Sequence, residues 1–443
     1  MTAVPSSAGG VITDKKQLTA YLAEGCKPVS AARIGTEHEK FIIDASGKPM
    51  PYEGERGIRA LLEALAARFG WEMVREQGLP IALLKNGAAI SLEPGGQFEL
   101  SGAPLQTLHE TAAELDTHLA EVHSIIDPWG YALLGQGTHP TASREDFTWM
   151  PKGRYAIMRA QMADKGQHGI DMMLRTTTVQ VNLDFHSEID MIRKFRVSLA
   201  LQPIATALFA NSPYLGGTAT GYQSSRSFIW TDTDPDRTGM LKFVFTNDMS
   251  FEAYTEYMLD VPMYFVYRDG HYLNARGQSF RAFLNGELPA LPGELPTVAD
   301  WVDHLSTAFP EVRLKRYLEM RGADSGNRAH LMALPAFWVG LLMSTTALDG
   351  AADLVKNWDA DTLSVLRTTA PQTGFNTEFN GTTAHGAAVE ALRLARHGLL
   401  DRNLGEGVYL DYLDTLVANG HNAAQDLLNI SHGSAAKALL PNL

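Results

Sequence analysis

The chain has 443 residues, 45% hydrophobic and 20% charged, an ordinary composition for a protein with a large core. Its net charge of −13 disfavours a nucleic-acid partner, which needs basic surface, and requires any anionic substrate to meet a locally cationic pocket. A single cysteine, Cys26, excludes an internal disulfide and a cysteine-rich zinc site, and it fits a cytoplasmic setting; Met1 to Gly10 lacks the basic-then-apolar start of a secretory signal.

Residues 1–11, rich in Ser, Ala and Gly, read as a flexible lead-in, and 12–443 as a single domain, since no linker divides them. Apolar spacing predicts helices over Lys15 to Glu24, Gly57 to Phe69 and Leu105 to Ile126. The clearest strand is Leu174 to Phe185. Val179, Val181, Leu183 and Phe185 fall on one face, and Thr176, Thr178, Gln180, Asn182 and Asp184 on the other, as the floor of a site would. A helix follows over Asp190 to Ala210, then strands at Phe228 to Thr231, Leu241 to Phe245 and Pro262 to Tyr267, and a proline-rich loop at Pro289 to Pro296. Ala333 to Leu348 is interrupted by Pro335 and short for a span, so it reads as a buried helix and no membrane partner is expected. From about 385 to 443 the pattern is helical. Without regular βαβ units, the class is α+β with one main antiparallel sheet.

Five glutamates carry the chemistry. Ile34-Gly-Thr-Glu-His-Glu-Lys-Phe41 projects Glu37 and Glu39 to one side, Leu92-Glu-Pro-Gly-Gly-Gln-Phe-Glu-Leu100 supplies Glu93 and Glu99, and Arg316-Tyr-Leu-Glu-Met-Arg321 places Glu319 on the face of Arg321. Carboxylates gathered on one sheet face repel unless a cation sits among them, and Mg²⁺ shared with substrate phosphates suits such a set. The standard nucleotide loops, G-x-x-x-x-G-K-[ST] and G-x-G-x-x-G, are absent, as is H-E-x-x-H. Asp232 to Asp236 superficially resembles a calcium loop but lacks the Gly and Glu that such a loop needs, so it reads as a turn. Lys152, Arg154 and Arg159, with Arg175, Arg226 and Arg321 from elsewhere, are candidates to meet phosphate and carboxylate. Gly216 to Gly221 and Gly322 to Gly326 are candidate lids.

The strings Gly35-Thr-Glu-His-Glu-Lys-Phe41, Leu92 to Gly102, Pro151-Lys-Gly-Arg-Tyr155, Thr178 to Asp184, Arg226 to Asp234 and Leu318-Glu-Met-Arg-Gly-Ala-Asp324 resemble glutamate–cysteine ligase of the plant and proteobacterial type, from about Ile34 to Leu342 and more weakly to about Leu428. That resemblance implies a glutamine synthetase-like fold, a curved antiparallel sheet forming a bowl with helices outside. It also implies a reaction in which ATP phosphorylates the γ-carboxylate of glutamate and the amino group of cysteine attacks, the first step of glutathione biosynthesis. It implies Glu37, Glu39, Glu93, Glu99, Glu319 and Gln180 as ligands of two or three Mg²⁺ ions, with Asn182, Lys152 and Arg154 near the nucleotide phosphates. Arg321 would act with Glu319 at the γ-phosphate. Arg226, Trp230, Tyr264 and Arg159 would shape the glutamate pocket, in a monomer or homodimer whose substrates are glutamate, cysteine and ATP.

Two departures bear on the acceptor. After Arg321 the chain reads Gly-Ala-Asp-Ser-Gly-Asn-Arg328, where the family usually continues Gly-Gly-Pro-Trp, and Ile430 to Ala436 lacks an expected tryptophan. The alternatives are therefore a γ-glutamyl ligase acting on another amine, or a catalytically silent paralogue. Retention of all five glutamates and Arg321 argues against silence.

Overall fold

The computed structural model describes residues 9–442. A nine-stranded, open antiparallel sheet organises it. Its strands are β1 (Ile34–Asp44), β2 (Glu72–Glu76), β3 (Leu79–Lys85), β4 (Ala88–Leu92), β5 (Phe98–Ser101), β6 (Tyr131–Leu134), β7 (Thr178–Leu183), β8 (Val312–Leu314) and β9 (Leu318–Asp324). They lie in the order β8-β9-β7-β1-β5-β4-β3-β2, with β6 pairing the far end of β1. The mixed α and antiparallel β class is the one expected.

Period-two alternation decides which side of the sheet is wet. Val179, Val181 and Leu183 of β7 and Leu318, Met320 and Ala323 of β9 are almost fully buried in one hydrophobic cluster. The helices Glu188–Leu208 and Arg328–Leu342 supply much of the rest of it. The intervening positions carry the polar residues, and register sets them side by side. Glu37 lies opposite Gln180 on one flank and Ser101 on the other, Glu39 opposite Glu99, Asn182 opposite Glu319, and Glu319 opposite Arg313. A second cluster, built on Ile90, Leu92, Phe98 and Leu100, packs under the helices Ile58–Phe69 and Leu108–Ile126. The latter helix begins in a capping box, with Thr107 and Glu110 satisfying each other's backbone N–H groups.

The first helix (Lys16–Ala23), those at Ile58–Phe69 and Leu108–Ile126, and Glu188–Leu208 follow the apolar spacing to within three residues at each end. The bend between Arg328–Leu342 and Thr345–Val355 is 91°, and no single helix among the described residues is long and apolar enough to cross a membrane.

Several expectations need correction. The segment from Leu174 starts as the end of a helix, Gly169–Arg175, and becomes strand only at Thr178. Phe228 to Thr231 is not a strand. Ser224 caps the turn that follows it by accepting from Ser227 N–H, so Ser225–Ile229 winds as a short helix. Leu241 to Phe245 is a 3₁₀ turn, Lys242–Phe245, and the strand near Pro262 begins only at Phe265. Gly322 to Gly326 is no lid: its first half is β9, and Asp324 is buried, accepting from Ser212, Ser224 and the Asn211 N–H. Gly216 and Gly217 turn a two-plus-two hairpin. Val11 bridges Thr297, so the lead-in is docked there, while residues 1–8 lie outside the described residues.

Candidate active site

Four of the five glutamates line one cavity. Glu37, Glu39, Glu93 and Glu99 share it with Gln180, Arg154, Arg313 and Arg321. Glu93 stands on the tight turn between β4 and β5, where Gly96 adopts a φ of 82° that favours glycine. Gln97 pins that turn by donating to the carbonyls of Met173 (3.1 Å) and Thr176 (3.0 Å). Glu99, 3% exposed, accepts from Ser101 at 2.6 Å and Ser91 at 3.2 Å. Burial, with Glu93 and Glu37 nearby, pushes the Glu99 carboxyl up to about 8. Burial, with Glu93 and Glu99, likewise raises Glu39 well above the usual carboxylate range, although Thr178 N–H donates to it at 3.1 Å. Glu39 and Glu99 thus resist ionisation, a burden that a cation between them would relieve.

Glu319 is placed differently from the sequence expectation of a metal ligand. It is fully buried, and Arg313 grips it in a two-pronged pair, Nη2 to Oε1 at 2.9 Å and Nε to Oε2. Arg321 Nη1 adds a contact at 3.1 Å and Lys315 one at 3.6 Å. Against the opposing effect of burial, Arg313, Lys315 and Arg321 hold the Glu319 carboxyl well below its usual range. Arg313 was not foreseen, although the alternation Glu311-Val-Arg-Leu314 carries its signal.

Arg321 sits at an irregularity in the sheet. The β9–β7 register shifts between Met320 and Ala323, which frees the backbone at Arg321 and Gly322 from the ladder. The Arg321 N–H donates instead to Glu311 O (3.1 Å), and its carbonyl accepts from Arg226 Nη2 (2.9 Å). Its guanidinium donates to Gln180 Oε1 at 2.7 Å. Arg321 lines the carboxylate chamber and two adjoining cavities, one with Thr178, Gln180, Met158 and Trp230, the other with Arg226, Ser227, Trp230, Glu311 and Arg367. Arg226 and Trp230 therefore stand where a substrate next to the carboxylates would lie. Glu311 and Arg367 are site residues that local sequence pattern did not offer.

The remaining expectations divide. Asn182 donates to Glu37 Oε1 at 2.9 Å and opens with it, Lys27, Arg33 and Tyr317 onto a further cavity at the outer end of the sheet. Lys152 is buried just behind the chamber, donating to Leu92 O at 2.8 Å, and burial lowers its ammonium to about 8 despite Glu93 and Glu99. Tyr264 does not line these cavities: it is fully buried, donates to Asp234 at 3.2 Å and stacks under Arg237. Arg159 is exposed and lies over Trp149.

Whether Mg²⁺ fits turns on the donor set. Carboxylate oxygens of Glu37, Glu39, Glu93 and Glu99 with the Gln180 amide are hard ligands of the kind Mg²⁺ takes, water and substrate phosphates completing its octahedron. Among the described residues, no three His, Cys, Asp or Glu side chains stand close enough to hold an ion by themselves. The set fits as a partial shell that substrate would complete.

Comparison with known proteins agrees with this geometry. The model of glutamate-cysteine ligase family 2 matches residues 33–440. The chain is 52% identical over 428 residues to the chloroplastic glutamate–cysteine ligase of Brassica juncea, covering 96% of this chain and 83% of that protein. It is 52% identical over 428 residues to that of Arabidopsis thaliana, covering 96% and 81%. The crystal structure of the Francisella tularensis glutamate–cysteine ligase in complex with AMP aligns over 92% of this chain and 86% of its own, with a TM-score of 0.54 at 12% identity, and shows the shared fold. The cytoplasmic setting expected from cysteine usage is overturned by these plant relatives, which are chloroplastic proteins; a single cysteine excludes an internal disulfide and does not identify a compartment. With four glutamates lining one chamber over the sheet and a match spanning nearly the whole chain, this chain belongs to glutamate-cysteine ligase family 2.

Proposed function

We propose that this glutamate–cysteine ligase uses ATP and Mg²⁺ to phosphorylate the γ-carboxylate of L-glutamate, then passes the γ-glutamyl group to the amino group of L-cysteine, working as one catalytic domain, monomeric or homodimeric. In the first step a γ-carboxylate oxygen attacks the γ-phosphorus of ATP and ADP leaves. In the second, the free amine attacks the acyl carbon, phosphate departs with the original carboxylate oxygen, and the amine loses a proton. Mg²⁺ bound by Glu37, Glu39, Glu93 and Glu99 with Gln180 would neutralise charge on the phosphate oxygens. Arg321 would brace the transferring phosphoryl group, Glu319 and Gln180 holding its guanidinium in place. Arg226 and Trp230 would receive the glutamate, and the buried floor would keep water from the acyl phosphate.

The single observation that carries this reading is Arg321, whose side chain borders both the carboxylate chamber and the Arg226–Trp230 pocket. The departure at Ser325–Arg328 does not favour another acceptor. Arg328 pairs with Asp116 and Gly326 packs on Gly135, and none of the four residues lines these cavities. The test is product mass: the purified protein with ATP, Mg²⁺ and glutamate yields γ-glutamylcysteine when cysteine is supplied, and much less adduct with other amines. Phosphate release indifferent to cysteine would contradict it.

A further inference from the structure

The cavity on the far side of Arg321 contains three guanidiniums and one carboxylate. Arg226, Arg321 and Arg367 face Glu311 around one partly open cavity, with Trp230 and Ser227 beside them. Glu311 is held rigidly. Its N–H donates to Gly239 O at 3.0 Å, its carbonyl accepts from Arg321 N–H at 3.1 Å, and its Oε1 accepts from Arg367 Nε at 2.8 Å. Arg367 is fixed in turn by donating through Nη2 to Trp230 O at 3.0 Å. The register that pairs Val312 with Met320 puts Glu311 beside Arg321 on the site-facing side of β8 and β9. The other oxygen, Glu311 Oε2, faces Gly322, where an added Cβ would come within 3.0 Å of it. The pair is about one-fifth exposed, 18% for each side chain, enough for a small ligand to reach and little enough for charge to count.

We propose that Glu311 binds the α-ammonium of the donor glutamate through Oε2 and so makes the enzyme demand an amino dicarboxylate, with Arg367 as its positioning residue. The inference rests on the reading of this cavity as the donor pocket. The charge pattern matches such a ligand: one carboxylate for the ammonium, and guanidiniums for the two carboxylates, with Arg321 at the end nearest the chamber. The acceptor is the poorer candidate on chemical grounds. A carboxylate beside an amine stabilises its protonated form, and a protonated amine cannot attack an acyl phosphate. A spectator ammonium belongs there and a nucleophile does not. A dicarboxylate without the amine would leave Glu311 desolvated and unpaired against the ligand, a strong basis for rejection.

The experiment compares L-glutamate with glutarate as donor, using the full chain with ATP, Mg²⁺ and cysteine, and reading each product by mass. The wild-type protein should prefer glutamate by about 100-fold or more in kcat/KM. Glu311→Gln should raise KM for glutamate on the order of 30-fold, leave KM for cysteine within about twofold, and shrink the preference over glutarate by a similar factor. Arg367→Ala should behave like Glu311→Gln, with Arg367→Lys restoring part of the preference. Retained turnover of glutarate shows that each variant is folded. Equal use of the two donors by the wild type, or an undiminished preference in Glu311→Gln, overturns the proposal. So does a rise confined to KM for cysteine. If the wild type forms no γ-glutamyl product from any amine, it is the donor-pocket reading that fails, whatever Glu311 does.

Discussion

Replacing Glu99 by Gln should stabilise the metal-free protein and destroy its function. The Glu99 carboxyl ionises near 8 instead of its ordinary 4.5, burial being the main cause and Glu93 and Glu37 adding to it. A carboxyl raised on folding contributes stability that is complete below pH 4.5 and lost as pH climbs toward 8, because the unfolded chain ionises first. At pH 7 the linkage amounts to about 3 kcal/mol, from 2.5 pH steps of roughly 1.4 kcal/mol each. Gln removes that burden but gives up part of the Ser91 and Ser101 hydrogen bonding, roughly 1 kcal/mol, so the net gain is about 2 kcal/mol. With an unfolding entropy near 2.1 cal/mol/K per residue over 443 residues, this corresponds to a Tm about 2 °C higher at pH 7. At pH 5 the linkage falls to about 1 kcal/mol and the advantage vanishes. Thermal melts in EDTA at both pH values measure this. Saturating MgCl₂ together with ATP, whose phosphates complete the shell, should then raise the wild-type Tm by about 3 °C and the variant's by much less, while ligase activity is lost. A variant that melts lower than wild type in EDTA at pH 7, or a metal shift equal in both proteins, would refute the reasoning.

Arg313→Leu leaves Glu319 buried without its principal partner and should cost about 3–5 kcal/mol in urea unfolding; a loss below about 1 kcal/mol would show that the pair is not structural. Tyr264→Phe removes the hydroxyl that donates to Asp234, so it should cost about 1 kcal/mol and leave KM for glutamate unchanged. A large rise in that KM would return Tyr264 to the substrate pocket. Arg159→Ala, on the exposed face over Trp149, should alter neither KM nor kcat in steady-state assays.

What the sequence revealed follows from how far its signals reach. Alternation is local, and it placed Glu37 with Glu39 and Glu319 with Arg321 on the polar face of the sheet, where the structure has them. Helical spacing over a dozen or more residues located the helices at Ile58–Phe69, Leu108–Ile126 and Glu188–Leu208. Short apolar runs misled, because Phe228 to Thr231 took its conformation from the Ser224 cap and not from its own side chains. What one strand does to the next was also hidden. Arg313 captures Glu319 across a hairpin, and a bulge at Arg321 diverts its N–H to Glu311. Arg367 reaches Glu311 from 56 positions away, a contact that no local pattern encodes. Tyr264 shows the opposite error, a residue taken for pocket lining that is occupied by Asp234 and Arg237.

The most direct test follows the oxygen that changes hands. Glutamate labelled with ¹⁸O in its γ-carboxylate, turned over with ATP, Mg²⁺ and cysteine, should deliver one labelled oxygen to each inorganic phosphate released and leave the nucleotide as unlabelled ADP. Unlabelled phosphate, or label recovered in AMP, would mean that the γ-carboxylate is not activated by phosphoryl transfer beside Arg321.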